Sequence, residues 1–441
     1  MVQRSEQLFL HHFSVEILKQ ITSTYLAPGI ARGIDGTTFE IFSSKIEDEL
    51  STIRRKVLSS TYKFSPFREK LILKGASQPP RQVSIPTIRD RVTLRALNNF
   101  LADIFPHARP MHSHHTVLAA IQSIGQTTPH ESFIKLDIKT FYDAIDHKIL
   151  LKNLRAKIRF APALDLVRSA LSTPTGVSLA ASQSRSTGVP QGLSISNILA
   201  SIYLERIDDK YRKHERIKYH RYVDDILCVV PTEDAMKIAA EITMDLKKKR
   251  RLTVHKMDGG KSAILPSSTK IEYLGYSFVQ KTVSVRENSV QKLLNSLMRM
   301  IHTTDKVALP RTLWRMNLRI SGCQYEGKKV GWMFYFSQIN DLSLLARIDS
   351  QIKKAMRRKY GSDSIKQCKS FIKSYHEIRY NLRDTGYILN FDSASDNEKK
   401  MILECIEPNR KYTGKELQKE FDRLIAREIR DMERDTIGAF S

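Results

Sequence analysis

The sequence predicts an α+β fold that gives way to an almost wholly helical C-terminal stretch, and three observations predict it. Short β-rich runs either end in an acid, as in Phe133-Ile134-Lys135-Leu136-Asp137, or flank a pair of acids, as around Asp224-Asp225. Between these runs, apolar residues recur among charges at the spacing of an amphipathic helix. Beyond about residue 285 that helical spacing is nearly unbroken.

Taken in order, residues 37–58 read as a helix, because Phe39, Phe42, Ile46, Leu50, Ile53 and Leu58 fall at roughly helical spacing. Residues 68–86 read as a hairpin, Arg68 to Leu73 and Arg81 to Ile85, joined by the turn-rich Gly75-Ala76-Ser77-Gln78-Pro79-Pro80. A helix over 89–103 carries Arg89, Arg91 and Arg95. The strand ending at Asp137 turns into a helix near Tyr142, and residues 192–212 are helical after a Gly-Val-Pro-Gln-Gly loop. Residues 218–230 spell a strand, a tight turn at Val223-Asp224-Asp225 and a second strand. Helical pattern returns over 233–250, followed by short strands near 252–256 and 271–279.

With 441 residues the chain has room for two to four domains and a sizeable core. Its 72 Lys and Arg against 47 Asp and Glu give a formal charge of +25 and a pI near 9.8. Charge in such excess predicts a polyanionic partner, because each neutralised phosphate releases condensed counterions. No long apolar run and no isolated basic amphipathic helix points to a membrane, so nucleic acid is the expected partner. The N-terminal MVQRSEQLFLHHF lacks the apolar core of a signal peptide, and Cys228, Cys323, Cys368 and Cys405 form no C-x-x-C pair. Both readings lead to the expectation of a cytoplasmic protein with reduced thiols.

The chemistry lies with the acids. Asp224 and Asp225 are adjacent at a hairpin tip, where two carboxylates repel each other and call for a cation. A lone Asp-Asp pair would mark no more than a solvated turn; here Asp137 ends a second apolar run, and the three together make an oxygen-rich set suited to Mg²⁺. The run Lys247-Lys248-Lys249-Arg250-Arg251 at a helix end reads as a solvated face. His112, His114 and His115 lack a cysteine or carboxylate at zinc spacing.

The order Phe133-Ile-Lys-Leu-Asp137-Ile-Lys-Thr-Phe-Tyr142-Asp-Ala-Ile-Asp-His147, Gly188-Val-Pro-Gln-Gly192, Tyr222-Val-Asp-Asp225 and Tyr273-Leu-Gly-Tyr276 resembles the successive motifs of reverse transcriptases. The resemblance spans roughly residues 30–285 and is nearest the bacterial lineage of group II intron proteins, retrons and defence-associated enzymes. It implies a right-hand polymerase with fingers, a ferredoxin-like palm, a helical thumb and a C-terminal helical extension. On that basis residues 1–110 would hold the N-terminal segment and fingers, and 111–284 the palm, with a fingers insertion near 150–187. Residues 285–345 would be the thumb and 346–441 a basic helical extension.

The same resemblance assigns roles. Asp137 and Asp224 would be the main ligands of two Mg²⁺ ions, or of Mn²⁺ in their place, with Asp225 supporting and Ile138 offering its backbone carbonyl. Lys74 and Arg81 of the fingers hairpin would clamp the triphosphate, a task for which Arg is shaped. Gln191 would contact the incoming nucleotide. Tyr142 would be the sugar gate that excludes a 2′-hydroxyl. Lys261 would protonate the leaving pyrophosphate. Tyr273, Leu274, Gly275 and Tyr276 would grip the primer.

The sequence departs from the family's commoner Ser-Pro pairing, since Ser196 is followed by Asn197. That departure and the helical tail resemble the antiphage defence-associated enzymes, among them a type 3 system that pairs two reverse transcriptases with a noncoding RNA. The expected activity is RNA-directed DNA synthesis from dNTPs on a dedicated noncoding RNA template, giving a DNA product. A second reverse transcriptase or a second copy of the chain is the expected protein partner. The alternatives are an RNA-dependent RNA polymerase, an intron-encoded RNA-binding maturase and a non-catalytic RNA scaffold. No ribonuclease H acid set or paired-histidine nuclease motif accompanies the polymerase pattern.

Overall fold

The computed structural model describes residues 2–26, 29–73, 79–108, 113–176, 186–258, 260–303, 309–407, 412 and 414–437. It divides into two compact units, the first built from residues 1–112 and 128–266, the second from 113–127 and 267–441.

The first unit opens with helices. The expected helix over 37–58 is two, Phe39–Ser43 and Ile46–Leu58, broken at Ser44-Lys45, where Ile46 begins a fresh apolar stripe of Leu50, Ile53 and Val57. The hairpin forms where expected, as β1 (Arg68–Ile72) paired antiparallel with β2 (Arg81–Ile85). Thr87 caps the helix Ile88–Ile104 by accepting from the Asp90 N–H. The arginines of that helix are spoken for: Arg89 makes a two-pronged pair with Glu49, and Arg91 donates to the carbonyls of Pro86 and Ala31. Arg95 lies 4.1 Å from the centre of the Tyr25 ring.

The centre of this unit is a four-stranded antiparallel sheet. Its strands are β3 (Glu131–Asp137), β4 (Lys218–Tyr222), β5 (Asp225–Pro231) and β6 (Ala263–Pro266), in spatial order β4-β5-β3-β6. β5 reads Ile226-Leu-Cys-Val-Val230 and is buried throughout, which is why it lacks the alternation of a half-exposed strand. The helices Ser196–Arg212 and Ala235–Arg250 pack against this sheet and each other. Residues 252–256, expected as a strand, make only the single bridge Val254–Ile138, and β6 was not anticipated.

The second unit contains β7 (Ile271–Tyr273), β8 (Tyr276–Val279) and β9 (Thr282–Val285), an antiparallel meander that leads into helices Glu287–Thr303 and Leu309–Ser321. Helix dominates beyond 285 as expected. A small sheet of β10 (Cys323–Tyr325), β11 (Lys328–Val330) and β12 (Leu389–Asn390) interrupts it. Leu318 and Cys323 share one apolar cluster with Phe391, Leu403, Phe421 and Ile425, so helices Leu309–Ser321, Asp396–Ile406 and Gly414–Ile437 fold around a common core. Residues 345 and 346 both fall inside the helix Leu342–Tyr360.

Candidate active site

The register of the central strands delivers the acids. β3 and β5 pair Asp137 with Asp225, and the Ile138 N–H donates to the Asp224 carbonyl at 3.1 Å. Tyr222 pairs with Asp225 across the β4–β5 hairpin, so Val223 and Asp224 alone make its turn. Val223 carries a φ of 56°, a left-handed conformation that a β-branched residue adopts only under constraint.

The constraint comes from Arg221 and Asp208. Arg221 Nη1 donates to the Val223 carbonyl at 2.7 Å. The same guanidinium is gripped in two places by Asp208, Nε to Oδ1 at 2.7 Å and Nη2 to Oδ2 at 2.6 Å. Tyr219 donates its hydroxyl to Asp208 Oδ1 at 2.9 Å. The Arg221 and Asp208 side chains are only 6% and 4% exposed, so the pair is shielded from water. Sequence reasoning missed both. The available signal was Asp208 itself, a charge standing among the apolar positions of a helix, which must find a partner when buried.

Asp137 is held by its backbone, with a lysine and a histidine beside its carboxylate. Its N–H donates to the buried Ser262 hydroxyl at 3.0 Å, and its carbonyl accepts from the His255 N–H at 2.9 Å. Lys261 Nζ stands 3.7 Å from its Oδ2, and His255 Nε2 stands 3.6 Å from its Oδ1. Burial pushes the Asp224 carboxyl above the usual range and the Asp137 charge adds to that, while Lys261 and Arg81 oppose it.

A buried carboxylate pressed by a neighbouring one suits a hard divalent ion. Among the described residues no three His, Cys, Asp or Glu side chains converge as a prebuilt metal cage. The fit therefore rests on donor type and crowded negative charge, which matches an ion that binds few carboxylates and fills its shell with water and phosphate oxygens. The Ile138 carbonyl accepts no hydrogen bond from a described residue and adds a third kind of oxygen beside them.

The nucleotide-side candidates fall beside these acids. Arg81 Nε donates to Gln191 Oε1 at 2.6 Å, and the Gln191 carbonyl accepts from the Ser84 N–H at 2.7 Å. A Cβ on Gly192, which has a φ of +98°, would lie 2.6 Å from Val83 Cγ1 and 3.1 Å from the Ser84 carbonyl oxygen. Only glycine lets β2 lie so close to this loop. Tyr142 donates its hydroxyl to Asn197 Oδ1 at 2.5 Å. Burial first, and then the nearby Asp224 charge, push the Tyr142 phenol up to about 12, so it remains a donor at neutral pH. Asn197 thus acquires a partner that the sequence did not suggest. Lys74 lies outside the described residues, as does His112, and nothing is described of the side chains of His114 and His115.

Two further expectations meet plain structural facts. Of the basic run, Lys249 pairs with Asp245 at 2.8 Å and Arg251 with Asp146 at 2.7 Å, while Arg250 is buried. Asp146 also caps the helix His147–Arg155 by accepting from the Ile149 N–H at 3.0 Å. In the second unit, Tyr273 and Tyr276 are buried and flank the turn Leu274-Gly275, with φ values of 50° and 80°. Tyr335 donates to the Leu274 carbonyl at 2.8 Å, and the Arg286 N–H donates to the Gly275 carbonyl at 2.8 Å.

Residues 72–278 match the family described as reverse transcriptase (RNA-dependent DNA polymerase). Over 199 residues the chain is 28% identical to protein YkfC of Escherichia coli strain K12, covering 42% of this chain and 50% of YkfC. It is 29% identical to the group II intron-encoded protein LtrA of Lactococcus lactis subsp. cremoris, covering 43% of this chain and 32% of LtrA. The chain therefore spans half the length of one of these relatives and about a third of the other. A solved structure of telomerase from Candida albicans, in complex with a fragment of telomeric RNA, aligns with 84% of this chain and 66% of its own at 14% identity. Its TM-score of 0.44 is too low to argue from.

Proposed function

We propose that the chain is an RNA-directed DNA polymerase, a reading supported by the match of residues 72–278 to the reverse transcriptase family. The observation that carries the proposal is the strand register that sets Asp137 beside Asp225 and puts Asp224 on a constrained turn. In the reaction a primer 3′-hydroxyl attacks the α-phosphorus of a dNTP, the new P–O bond forms in line with the one that breaks, and pyrophosphate leaves. Two bound divalent ions would lower the pKa of the attacking hydroxyl and neutralise the leaving oxygens.

The chain's own groups do the rest. Asp137 and Asp224 would hold the ions through their negative charge, and Ile138 would offer its carbonyl. Asp225 supports the pair from the facing strand. Arg81 exchanges its Gln191 contact for the triphosphate, and Gln191 stays against the nucleotide. Tyr142 closes the space a 2′-hydroxyl would occupy. Lys261, which already stands at Asp137, gives its proton to pyrophosphate.

For biological role we read antiphage defence with a dedicated noncoding RNA as template, supported by Gly192-Leu-Ser-Ile-Ser-Asn197 in place of the intron-type motif. The likeness to an intron-encoded protein supports a second reading, in which binding structured RNA matters as much as copying it. No helix among the described residues is long and apolar enough to cross a membrane.

Primer extension tests the activity. Purified full-length protein, a primed heteropolymeric RNA, dNTPs and Mg²⁺ should yield full-length DNA, and EDTA should stop it. Extension with rNTPs but not dNTPs would overturn the assignment in favour of an RNA polymerase. Sequencing the RNA that copurifies decides between a dedicated noncoding RNA and an intron.

A further inference from the structure

We propose that Tyr380 and the cations around it form a platform on which this protein stacks an unpaired RNA base. The inference rests on the function above only for the choice of RNA as the nucleic acid. Tyr380 ends the helix Phe371–Tyr380 and is 71% exposed. Between Leu342 and Met401 it is the one large apolar side chain so exposed among the described residues.

Its neighbours in sequence show what a committed tyrosine looks like here. Tyr360 donates to the Ile301 carbonyl at 3.1 Å, and Tyr375 donates to the Ile339 carbonyl at 2.9 Å. The Tyr387 hydroxyl accepts from the Ser370 N–H at 2.7 Å, and Lys373 and Lys369 lie 4.7 and 4.9 Å from its ring centre. Tyr380 keeps its phenol within hydrogen-bonding reach of Tyr375 and leaves its ring to solvent.

The ring is set among cations that are themselves anchored. The Arg379 guanidinium carbon lies 5.9 Å from the Tyr375 ring centre and 6.0 Å from that of Tyr380. Arg379 Nη1 donates to the Ser337 carbonyl and to Gln338 Oε1, both at 3.1 Å, so neutral oxygens fix this cation among the described residues. The His376 ring stands 5.9 Å away at a tilt of 32°, and Lys373 on the same helix and Arg383 just after it are exposed. Glu377 accepts from Asn381 Nδ2 at 2.9 Å and its charge offsets part of that of Lys373, while Arg379 is held by neutral oxygens.

Over residues 342–387 there are eleven Lys and Arg against four Asp and Glu, a net +7. Residues 391–441 hold ten against twelve, a net −2. The surplus of this end of the chain therefore lies in residues 342–387, the segment that carries Tyr380. An anionic bilayer would call for several apolar side chains to insert, and a duplex would offer no open base face. A single open ring flanked by cations suits one unstacked base with its phosphates.

The test uses the full-length protein and two fluorescein-labelled RNAs, a hairpin with an unpaired uridine-rich loop and the same stem closed as a blunt duplex. Tyr380→Ala should weaken hairpin binding by about 5- to 100-fold, the value of one base–aromatic stack, with the salt slope unchanged. Tyr380→Phe should bind like the parent, and duplex binding should be equal in all three. Parent-like hairpin binding by Tyr380→Ala overturns the platform. So does an equal loss on both RNAs, which would be a charge or folding effect. A defect confined to anionic vesicles or to self-association, with hairpin binding intact, would also overturn it in favour of a lipid or protein partner. Extension of a generic primed template by the parent, run alongside, reports on the proposed activity separately: its failure sinks that activity and leaves the platform to the binding data.

Discussion

Tyr142 and Asn197 show how much a single hydrogen bond can decide at the scale of a residue. The sequence marks Asn197 only as a departure from the pairing usual in reverse transcriptases, yet in the structure its side chain accepts the Tyr142 hydroxyl at 2.5 Å. If Tyr142 is the sugar gate, Asn197 sets how far its ring can swing. Tyr142→Ala should raise the ratio of ribonucleotide to deoxynucleotide kcat/KM most. Asn197→Leu should raise it about 2- to 10-fold, the worth of one hydrogen bond. Tyr142→Phe, which loses the same bond, should match Asn197→Leu, and the double variant should add nothing further. An unchanged ratio in Tyr142→Ala would move the gate elsewhere; a changed ratio there with none in Asn197→Leu would remove only the role of Asn197. The positions of the acids were legible because Asp137 ends one apolar run and Asp224-Asp225 precede another. The Tyr142–Asn197 pair was not, because its members are 55 positions apart and only tertiary packing joins them.

Elements were legible in proportion to their periodicity. The β1–β2 hairpin, the helix Ile88–Ile104 and the Tyr222–Asp225 hairpin fall within a residue or two of expectation, since turn residues or a cap bound each of them. The strands β6 and β10 to β12 are two to four residues long, too short to show a period, and pairing partners distant in sequence create them. The site depends on one element above all, the β4–β5 hairpin with Val223 at a φ of 56°. Removing the Arg221 grip should let that turn relax and carry Asp224 with it. Arg221→Lys keeps the charge but loses the two-pronged hold on Asp208. It should lower kcat by at least tenfold with dNTP KM within about twofold, because the loss falls on geometry at the reacting atoms. A rise in KM alone would place Arg221 in nucleotide binding. Gly192→Ala should act differently, since its Cβ would strike Val83 and Ser84. About 1–3 kcal/mol of stability should be lost in a thermal melt, with dNTP KM raised as β2 is pushed off the loop.

For the molecule as a whole, the charge of +25 in the sequence pointed to a polyanionic partner and left open where that charge sits. A basic stretch runs from Arg347 to Arg383. Lys353, Lys354, Arg357 and Arg358 are exposed on the helix Leu342–Tyr360. Because this helix and those after it fold with the rest of their unit, substitution reads their role more cleanly than truncation. Changing these four to Gln should flatten the plot of log binding constant against log salt by up to about 3 for single-stranded RNA, roughly 0.7 for each phosphate no longer neutralised. A slope equal to the parent's would make them a solvated face. The central claim is that Asp137 and Asp224, brought together by the sheet, hold the ions that drive DNA synthesis. The most direct measurement is Mg²⁺-dependent primer extension on RNA by Asp137→Asn and Asp224→Asn, with thermal melts and RNA affinities taken on the same preparations. The expected result is a loss of at least a hundredfold in extension rate, with RNA affinity kept and melting temperature no lower than the parent's. Extension by both variants at the parent's rate would contradict it.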